Sequence, residues 1–201
     1  MNRTATLALT FLSLFLPLFL FTLLAPIPPA QAGDLNLFLG VKSLNEDDWT
    51  PLDSHTELGL QGSWGPPEWP VAIATDIYGS FDSQDLLGID ISASTAEINL
   101  GVRKIWRTGS QQRVRPYIGG GIASISGTFE AESGGVKVSD DGSGVGAWLG
   151  GGIFWRLGPS FNLGMDLRLS TATVELYGVD RNAGGGHFGV IAGFGWPKSR
   201  P

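Results

Sequence analysis

Cysteine is absent from this 201-residue sequence, histidine occurs twice, and charged residues make up only 16% of it. The absence of cysteine excludes a disulfide scaffold, and two histidines in separate segments give no pattern for a metal site. The 13 lysines and arginines are outnumbered by 19 acidic residues, whereas a nucleic-acid-binding protein needs a cationic surface. A hydrophobic content of 42% excludes a disordered chain. We therefore expect no nucleic-acid partner, no metal and no cofactor.

The N-terminal segment 1–32 has the features of a secretory signal peptide. Arg3 supplies a positive start, an apolar run covers 7–24, and Ala-Gln-Ala at 30–32 gives a small-x-small cleavage site. An uncleaved anchor helix is the alternative, because the run approaches the about 20 residues that span a bilayer. We expect cleavage, which leaves 33–201 as the mature domain. This domain has no second apolar run of that length, so in a membrane it must form a closed barrel.

Apolar residues alternate with small or polar residues in eight segments of the mature domain, and no segment carries a helical pattern. This period of two predicts eight β-strands. One face of the segments holds residues such as Leu58 and Leu60, and the other holds glycine and a few charges. Glycine is a poor strand surface in water but fits the interior of a narrow barrel. The sequence therefore predicts an all-β fold, an eight-stranded antiparallel up-and-down transmembrane β-barrel.

The connections between these segments alternate between short and long. Short periplasmic turns and longer external loops are typical of outer-membrane barrels. The long connections carry 13 acidic residues against Lys137 and Arg181, a net charge of −11. We expect these connections to form an acidic, solvated crown of external loops. The four long connections lie near residues 43–55, 82–94, 128–143 and 171–185.

Five of the seven tryptophans fall at strand ends beside the short turns. An amphipathic indole belongs at a membrane interface, so a rim of them predicts an aromatic girdle on the periplasmic side. The predicted girdle residues are Trp64, Trp69, Trp106, Trp155 and Trp196.

With these features, the chain resembles the small eight-stranded outer-membrane β-barrels of Gram-negative bacteria, the OmpA/OmpX-like group. The resemblance is carried by the segment RPYIGGG at 115–121 and by the last strand, 187–196, which looks like the signal read by the barrel-assembly machinery. It implies an outer-membrane location, contact with outer-membrane lipids, insertion by that machinery, and a monomer. The chain departs from the group by continuing over 197–201 after its last aromatic residue. The group has no common activity, so the resemblance implies architecture without a task.

Charged residues on the face opposite the apolar one are balanced, with four of each sign. An eight-stranded barrel has room for side chains but not for a wide channel, so buried charges must pair. We expect a salt-bridged lumen that fixes the strand register; a gate that re-pairs to admit small ions is the alternative. The predicted lumen charges are Lys42, Glu57, Asp76, Glu97, Arg103, Arg115, Asp166 and Arg168.

The sequence favours a structural or surface-interaction role without enzymatic activity. A narrow channel is one alternative. A lipid-modifying enzyme is another, because Ser170 or Ser43 with His187 and Glu175 could form a Ser-His-acid arrangement at the rim. A soluble lipocalin-like carrier is the third, since a Gly-x-Trp occurs at 62–64 and an apolar face could instead line a cavity.

Overall fold

The computed structural model describes residues 32–66, 68–108 and 113–196. The predicted signal peptide, except its last residue, lies outside these residues, as does the tail 197–201. One four-residue helix, α1, covers Glu46–Trp49. In chain order, the strands are β1 Ala32–Ser43, β2 Ser54–Gly65, β3 Ala72–Leu86, β4 Ile89–Ile105, β5 Val114–Ser133, β6 Val136–Leu157, β7 Phe161–Thr171, β8 Thr173–Leu176, β9 Val179–Asn182 and β10 Gly185–Trp196.

Eight of these strands close into a barrel in the order β1-β10-β7-β6-β5-β4-β3-β2, and every neighbouring pair is antiparallel. Strands β8 and β9 form a separate hairpin. The predicted fold class, an all-β, eight-stranded antiparallel barrel, is confirmed. Within the described part of the chain, no helix has the length and hydropathy to cross a membrane.

The strand alternation read from the sequence sorts the barrel side chains into two faces. Leu37 of β1, for example, lies opposite Leu60 and Ala192 in one outward row. Its neighbour Phe38 points inward and is fully buried. Because successive side chains leave a strand on opposite sides, the unbroken register keeps this sorting along each strand.

Inward glycines make room for inward rings. A Cβ placed on Gly59 would lie 2.2 Å from the ring of Tyr78, and one placed on Gly189 would lie 2.6 Å from the ring of Phe38. Tyr78 and Phe38 pack edge to face at 5.4 Å between ring centres. The glycine-rich inner face therefore belongs to a filled interior.

The long connections 82–94 and 128–143 are not loops, which corrects the sequence prediction. Strands β3 and β4 continue to a two-residue turn at Leu87 and Gly88, and β5 and β6 continue to one at Gly134 and Gly135. Strands β5 and β6 have 20 and 22 residues, whereas a tilted strand crosses a membrane with about 9–11. Strands β3 and β4, with 15 and 17 residues, also exceed this length, so both hairpins extend beyond a membrane crossing at the end away from the short turns.

The other two long connections also contain regular structure. Helix α1 lies in 43–55, where the sequence shows no helical pattern, and the Asn45 side chain caps it by accepting a hydrogen bond from the Asp47 amide. The hairpin β8–β9 lies in 171–185. One turn of helix is too short to produce a periodic pattern in the sequence.

Candidate functional site

The outward side chains of the barrel form an apolar belt. Leu100 of β4 and Ile122 of β5 are paired in one cross-strand row and are 51% and 60% exposed. A continuous exposed surface of this kind is unfavourable in water and is typical of contact with lipid hydrocarbon. Other half-exposed members of the belt are Leu37, Leu39, Leu58, Ile98, Val102, Leu149, Leu167 and Val190.

The eight residues predicted as lumen charges are all buried and all lie on the inward face. Arg103 donates to Asp76 at 2.7 Å, and a second bond from Arg103 reaches the Ser63 hydroxyl, also at 2.7 Å. Lys42 bridges Glu97 at 3.3 Å. The first pair joins the neighbouring strands β4 and β3, and the second reaches across the lumen from β1 to β4.

Arg168 lies at the centre of this interior. Its guanidinium carbon is 3.3 Å from the centre of the Tyr78 ring, and a terminal nitrogen is 4.0 Å from Asp76. Asp166 accepts a hydrogen bond from the Tyr117 hydroxyl. Arg115 is buried as well, but within the described residues it forms no hydrogen bond or salt bridge with the other predicted lumen charges.

A second ionic cluster closes the end of the lumen that lies beside the short turns. Arg156 donates to Asp34 and, at 2.6 Å, to Asn162, which also contacts Asn36 at 3.0 Å. Asp34 and Arg156 are both buried, although the eight predicted lumen charges include neither of them. The inward position of Asp34 could be predicted from the sequence, because Asp34 and the inward Lys42 are separated by an even number of residues on β1 and so lie on the same face.

Both histidines are buried in the external half of the lumen, not exposed at a rim. His187 contacts the Glu57 carboxylate at 2.8 Å and the Ser170 hydroxyl at 2.9 Å. His55 contacts the Ser80 hydroxyl at 2.9 Å. The acid predicted beside His187 is Glu175, whereas Glu57 occupies that place.

Ser170, His187 and Glu57 have the spacing of a Ser-His-acid triad, but their surroundings oppose nucleophilic catalysis. A second carboxylate, Glu97, lies 3.0 Å from the Ser170 hydroxyl, where negative charge would destabilise an oxyanion. His187 is 0% exposed and Ser170 is 8% exposed, so a substrate has no access. Among the described residues, no group of three or more His, Asp or Glu side chains is placed to hold a metal ion.

An apolar cap covers the opposite mouth of the lumen, away from the short turns. Helix α1 and hairpin β8–β9 meet there: the Trp49 indole donates to the Asn182 carbonyl at 2.8 Å, and the Asp48 carboxylate accepts from the Asn182 amide at 3.0 Å. Asp48 is therefore a structural group of the cap rather than a purely solvated acid. The buried cap residues, which pack on the lumen wall beneath them, are Leu44, Trp49, Leu52, Val174, Leu176 and Ala183.

The hairpins β3–β4 and β5–β6 continue beyond the belt as a four-stranded sheet, called here the protruding sheet (82–93 and 128–141). Its register is unbroken from the barrel, so each side chain keeps the face set by its strand. The face continuous with the lumen, the inner face, is apolar along its two central strands and on Val138: Ile91 lies opposite Ala131, which lies opposite Val138. The edges of this face also carry Asp82, Gln84 and Asp140. The outer face is polar, with Ser83 and Glu130 flanking Ser92. The polarity of the barrel is thus inverted in the protruding sheet.

The five predicted girdle tryptophans lie at the end of the barrel that carries the short turns. Trp69, Trp106 and Trp155 are 40–52% exposed, and Trp64 and Trp196 are half-buried. The two remaining tryptophans, Trp49 and Trp148, are buried on the external side and within the lumen wall.

Comparison with known proteins finds the fold without a close relative in sequence. No protein family and no curated protein matches the chain. Among solved structures, Ail, the attachment invasion locus protein of Yersinia pestis, is similar with a TM-score of 0.58 and 14% identity over 83% of this chain and 99% of Ail. A major outer membrane protein from Thermus thermophilus is similar with a TM-score of 0.52 and 12% identity over 83% of this chain and 98% of its own. Together with the apolar belt, these likenesses show that the chain has the fold of the small eight-stranded β-barrels found in outer membranes.

Proposed function

We propose that this protein acts at the cell surface through the protruding sheet, and that its filled lumen is a structural core rather than a conduit. The observation that carries the proposal is the length of β5 and β6, which have about twice the residues needed to cross a membrane. Anchoring alone needs only short connections. Strands that continue in register beyond the lipid present a rigid surface, which is what recognition of a partner requires.

The lumen supports a structural role because charges of both signs meet in it at short distances. Arg103 and Asp76 are 4% and 0% exposed, and Lys42 and Glu97 are 0% and 1% exposed. Large rings fill the space between the charged groups, including Tyr78 and Tyr117. A conducting pore of this strand number would need these groups to move apart. We therefore favour the surface role over channel activity and over lipid-modifying activity.

The setting of this role is an outer membrane whose lipids surround the belt, with the barrel inserted as a monomer by the assembly machinery after removal of the segment 1–32. The similar structure of Ail, the attachment invasion locus protein of Yersinia pestis, is a complex with the heparin analogue sucrose octasulfate. For this chain we propose a role at the cell surface but not the binding of a sulfated ligand. The acidic excess in the external segments of this chain, 13 acids against two cations, would repel a polyanion.

A trimmed barrel tests the proposal. Residues 83–92 and 130–139 are each replaced by Asn-Gly, which suits a two-residue hairpin turn between the paired residues Asp82 and Ala93 and between Phe129 and Asp140. Cells displaying either barrel are incubated with purified extracellular proteins of acidic, neutral and basic charge, and retention is measured. Insertion is monitored by comparing boiled and unboiled samples on detergent gels.

We expect the trimmed barrel to insert like the parent and to lose retained proteins. The full-length variant Leu149→Ile, changed only in the apolar belt outside the protruding sheet, is the matched control and should behave like the parent. If the inserted trimmed barrel retains the same proteins to the same extent, the surface role is wrong.

A further inference from the structure

Strand β6 forms an open edge of the protruding sheet. It pairs with β5 along its whole length, but its pairing with β7 stops at the pair Ala147–Thr171. Among the described residues, hairpin β8–β9 pairs with no barrel strand. The segment 136–141 is therefore an edge strand, and all of it except Asp140 is exposed. An exposed edge without proline is a template for pairing with another strand.

The turn of the β5–β6 hairpin decides which backbone groups of this edge are open. Both residues of the turn Gly134–Gly135 have positive φ, as in a two-residue type I′ turn. Such a turn closes on a hydrogen-bonded pair, here Ser133 and Val136, and bonded and non-bonded pairs alternate from there. The residues whose N–H and C=O groups point away from β5 are therefore Lys137, Ser139 and Asp141.

The opposite edge of the sheet, on β3, is shorter and better protected. Pairing of β3 with β2 stops at Phe81, so only 82–86 is open. The Gln84 side chain donates to the Pro51 carbonyl at 2.7 Å, which ties this edge to the segment after helix α1. Over 136–139, the described residues place no such contact across the β6 edge.

The β6 edge is complementary to itself. Ser139 lies midway between Lys137 and Asp141, and all three side chains lie on the outer face. When two copies of the segment pair antiparallel about Ser139, each Lys137 lies directly opposite Asp141 of the other copy. The same register forms hydrogen-bonded pairs at these three positions, where the open backbone groups lie. Side-chain charge and backbone geometry thus select one register.

Antiparallel pairing also decides how the two barrels are placed. In one membrane, the β6 strands of two copies run in the same direction and cannot pair in this way. In two facing membranes they run in opposite directions, related by a two-fold axis through Ser139. The turn 134–135 of each copy then lies beside 143–144 of the other, short of the belt. Residues 139–147 span about 27 Å, so both membranes have room.

The acidic crown opposes the approach of two copies only at long range. Its 13 acids against two cations repel an identical crown. At physiological salt the Debye length is about 8 Å, so most of this repulsion is screened, whereas the hydrogen bonds of a β-ladder remain. One short ladder is a weak contact, but many copies on two facing membranes act together.

From this open edge and its charge pattern we propose that the protruding sheet binds a second copy of this protein on a facing membrane, through 137–141 of β6. The two protruding sheets join into one eight-stranded antiparallel sheet. The inference rests on the proposed surface role and names a second copy as the partner.

The test uses the full-length barrel in phosphatidylcholine vesicles of two colours, reconstituted by detergent removal so that part of the barrels face outward. The outward fraction is matched between variants by the access of external protease to intact vesicles. Clustering is measured as two-colour coincidence at about 10 mM and about 150 mM salt. Parent vesicles mixed with empty vesicles show whether a copy is needed on both membranes.

We expect parent vesicles to cluster with each other, more strongly at the higher salt, and not with empty vesicles. Ser139→Pro removes the open N–H at the centre of the edge without removing a bond to β5, and should lower clustering about tenfold or more. Ser83→Pro makes the same change on the β3 edge, where the Ser83 amide bonds only to the Asp82 side chain. This matched control should change clustering less than about twofold.

An exchange of charge tests the register. Lys137→Asp alone, or Asp141→Lys alone, places like charges opposite each other in two identical copies, so each variant should cluster with itself about tenfold less than the parent. Vesicles of Lys137→Asp mixed with vesicles of Asp141→Lys should cluster like the parent, because opposite charges then face each other at both positions.

Absence of parent clustering, or equal clustering of the parent with empty vesicles, would overturn the proposal. Parent-level clustering of Ser139→Pro with unchanged gel migration, or no recovery in the mixture of charge variants, would also overturn it. If parent vesicles do not cluster while trimming still removes other retained proteins, the surface role stands and the second copy is wrong. If trimming changes neither retention nor clustering, the surface role itself fails.

Discussion

At the scale of single residues, the barrel depends on where each charge lies. Arg103 and Asp76 are buried and joined at 2.7 Å, whereas Lys137 and Glu130 form an exposed pair at 2.8 Å on the protruding sheet. Similar distances have different energetic consequences. A charge that loses its buried partner cannot turn to water, but an exposed charge can.

Asp76→Asn should therefore be far more destabilising than Lys137→Ala. We expect the first change to lower the free energy of unfolding by about 3–5 kcal/mol, because it leaves Arg103 buried without its anion. The second should lower it by no more than about 1 kcal/mol. Urea unfolding of the barrels in lipid vesicles measures both, and equal losses would contradict the buried pairing.

Two substitutions on the outward face of β4 test the limit of the belt. Leu100→Arg places a charge in the lipid hydrocarbon and should lower the free energy of unfolding by about 2–4 kcal/mol. Ser92→Arg lies on the same face of the same strand, beyond the belt and beside Glu130, and should change stability by less than about 0.5 kcal/mol. The same unfolding measurement applies. Comparable losses of unfolding free energy at the two positions would show that the edge of the belt does not lie between Ser92 and Leu100.

Most lumen residues could be predicted from the sequence, because strand parity alone decides the face. Arg103 and Glu97 follow from the alternation around Leu100. The predicted set omits Asp34 and Arg156, which lie near the ends of β1 and β6. Their pairing joins β6 to β1 and depends on closure of the barrel between β1 and β10, which no local pattern encodes.

At the scale of elements, composition misled the prediction for the two long hairpins. Residues 82–94 and 128–143 are rich in Ser, Asp, Glu and Gly, which favoured loops. Alternation nevertheless continues in them, with Ile91, Phe129 and Val138 on the inner face and polar residues on the outer face. The outward face turns polar where it leaves the lipid, so the apolar-outside rule that identifies membrane strands no longer applies there.

The cap could not be predicted from the sequence either, because it joins helix α1 to hairpin β8–β9 across more than 130 residues. Trp49→Ala removes its central side chain, which is 3% exposed. We expect neither the parent nor Trp49→Ala to give discrete conductance in planar bilayers, because the charged lumen below remains filled. Conductance in Trp49→Ala alone would show that the cap is the only seal; conductance in the parent would restore the channel alternative.

At the scale of the whole molecule, one closed sheet carries two opposite polarities. Within the belt the barrel is apolar outside and polar inside, and in the protruding sheet the order is reversed. The barrel within the belt does not fit a soluble carrier with an apolar cavity, because buried charges occupy its interior. The central claim is therefore that the apolar belt contacts lipid and that the protruding sheet does not.

The most direct measurement of this claim uses the absence of cysteine from the chain. Single cysteines are introduced at Leu60, Leu100 and Leu149 in the belt and at Ser83 and Ser139 on the outer face of the protruding sheet. Each is labelled with a small fluorophore, and the barrel is reconstituted in vesicles of brominated phosphatidylcholine. We expect strong quenching at the three belt positions and fluorescence at the two sheet positions equal to that in unbrominated lipid. Absence of quenching at the belt, or equal quenching at all five positions, would contradict the account.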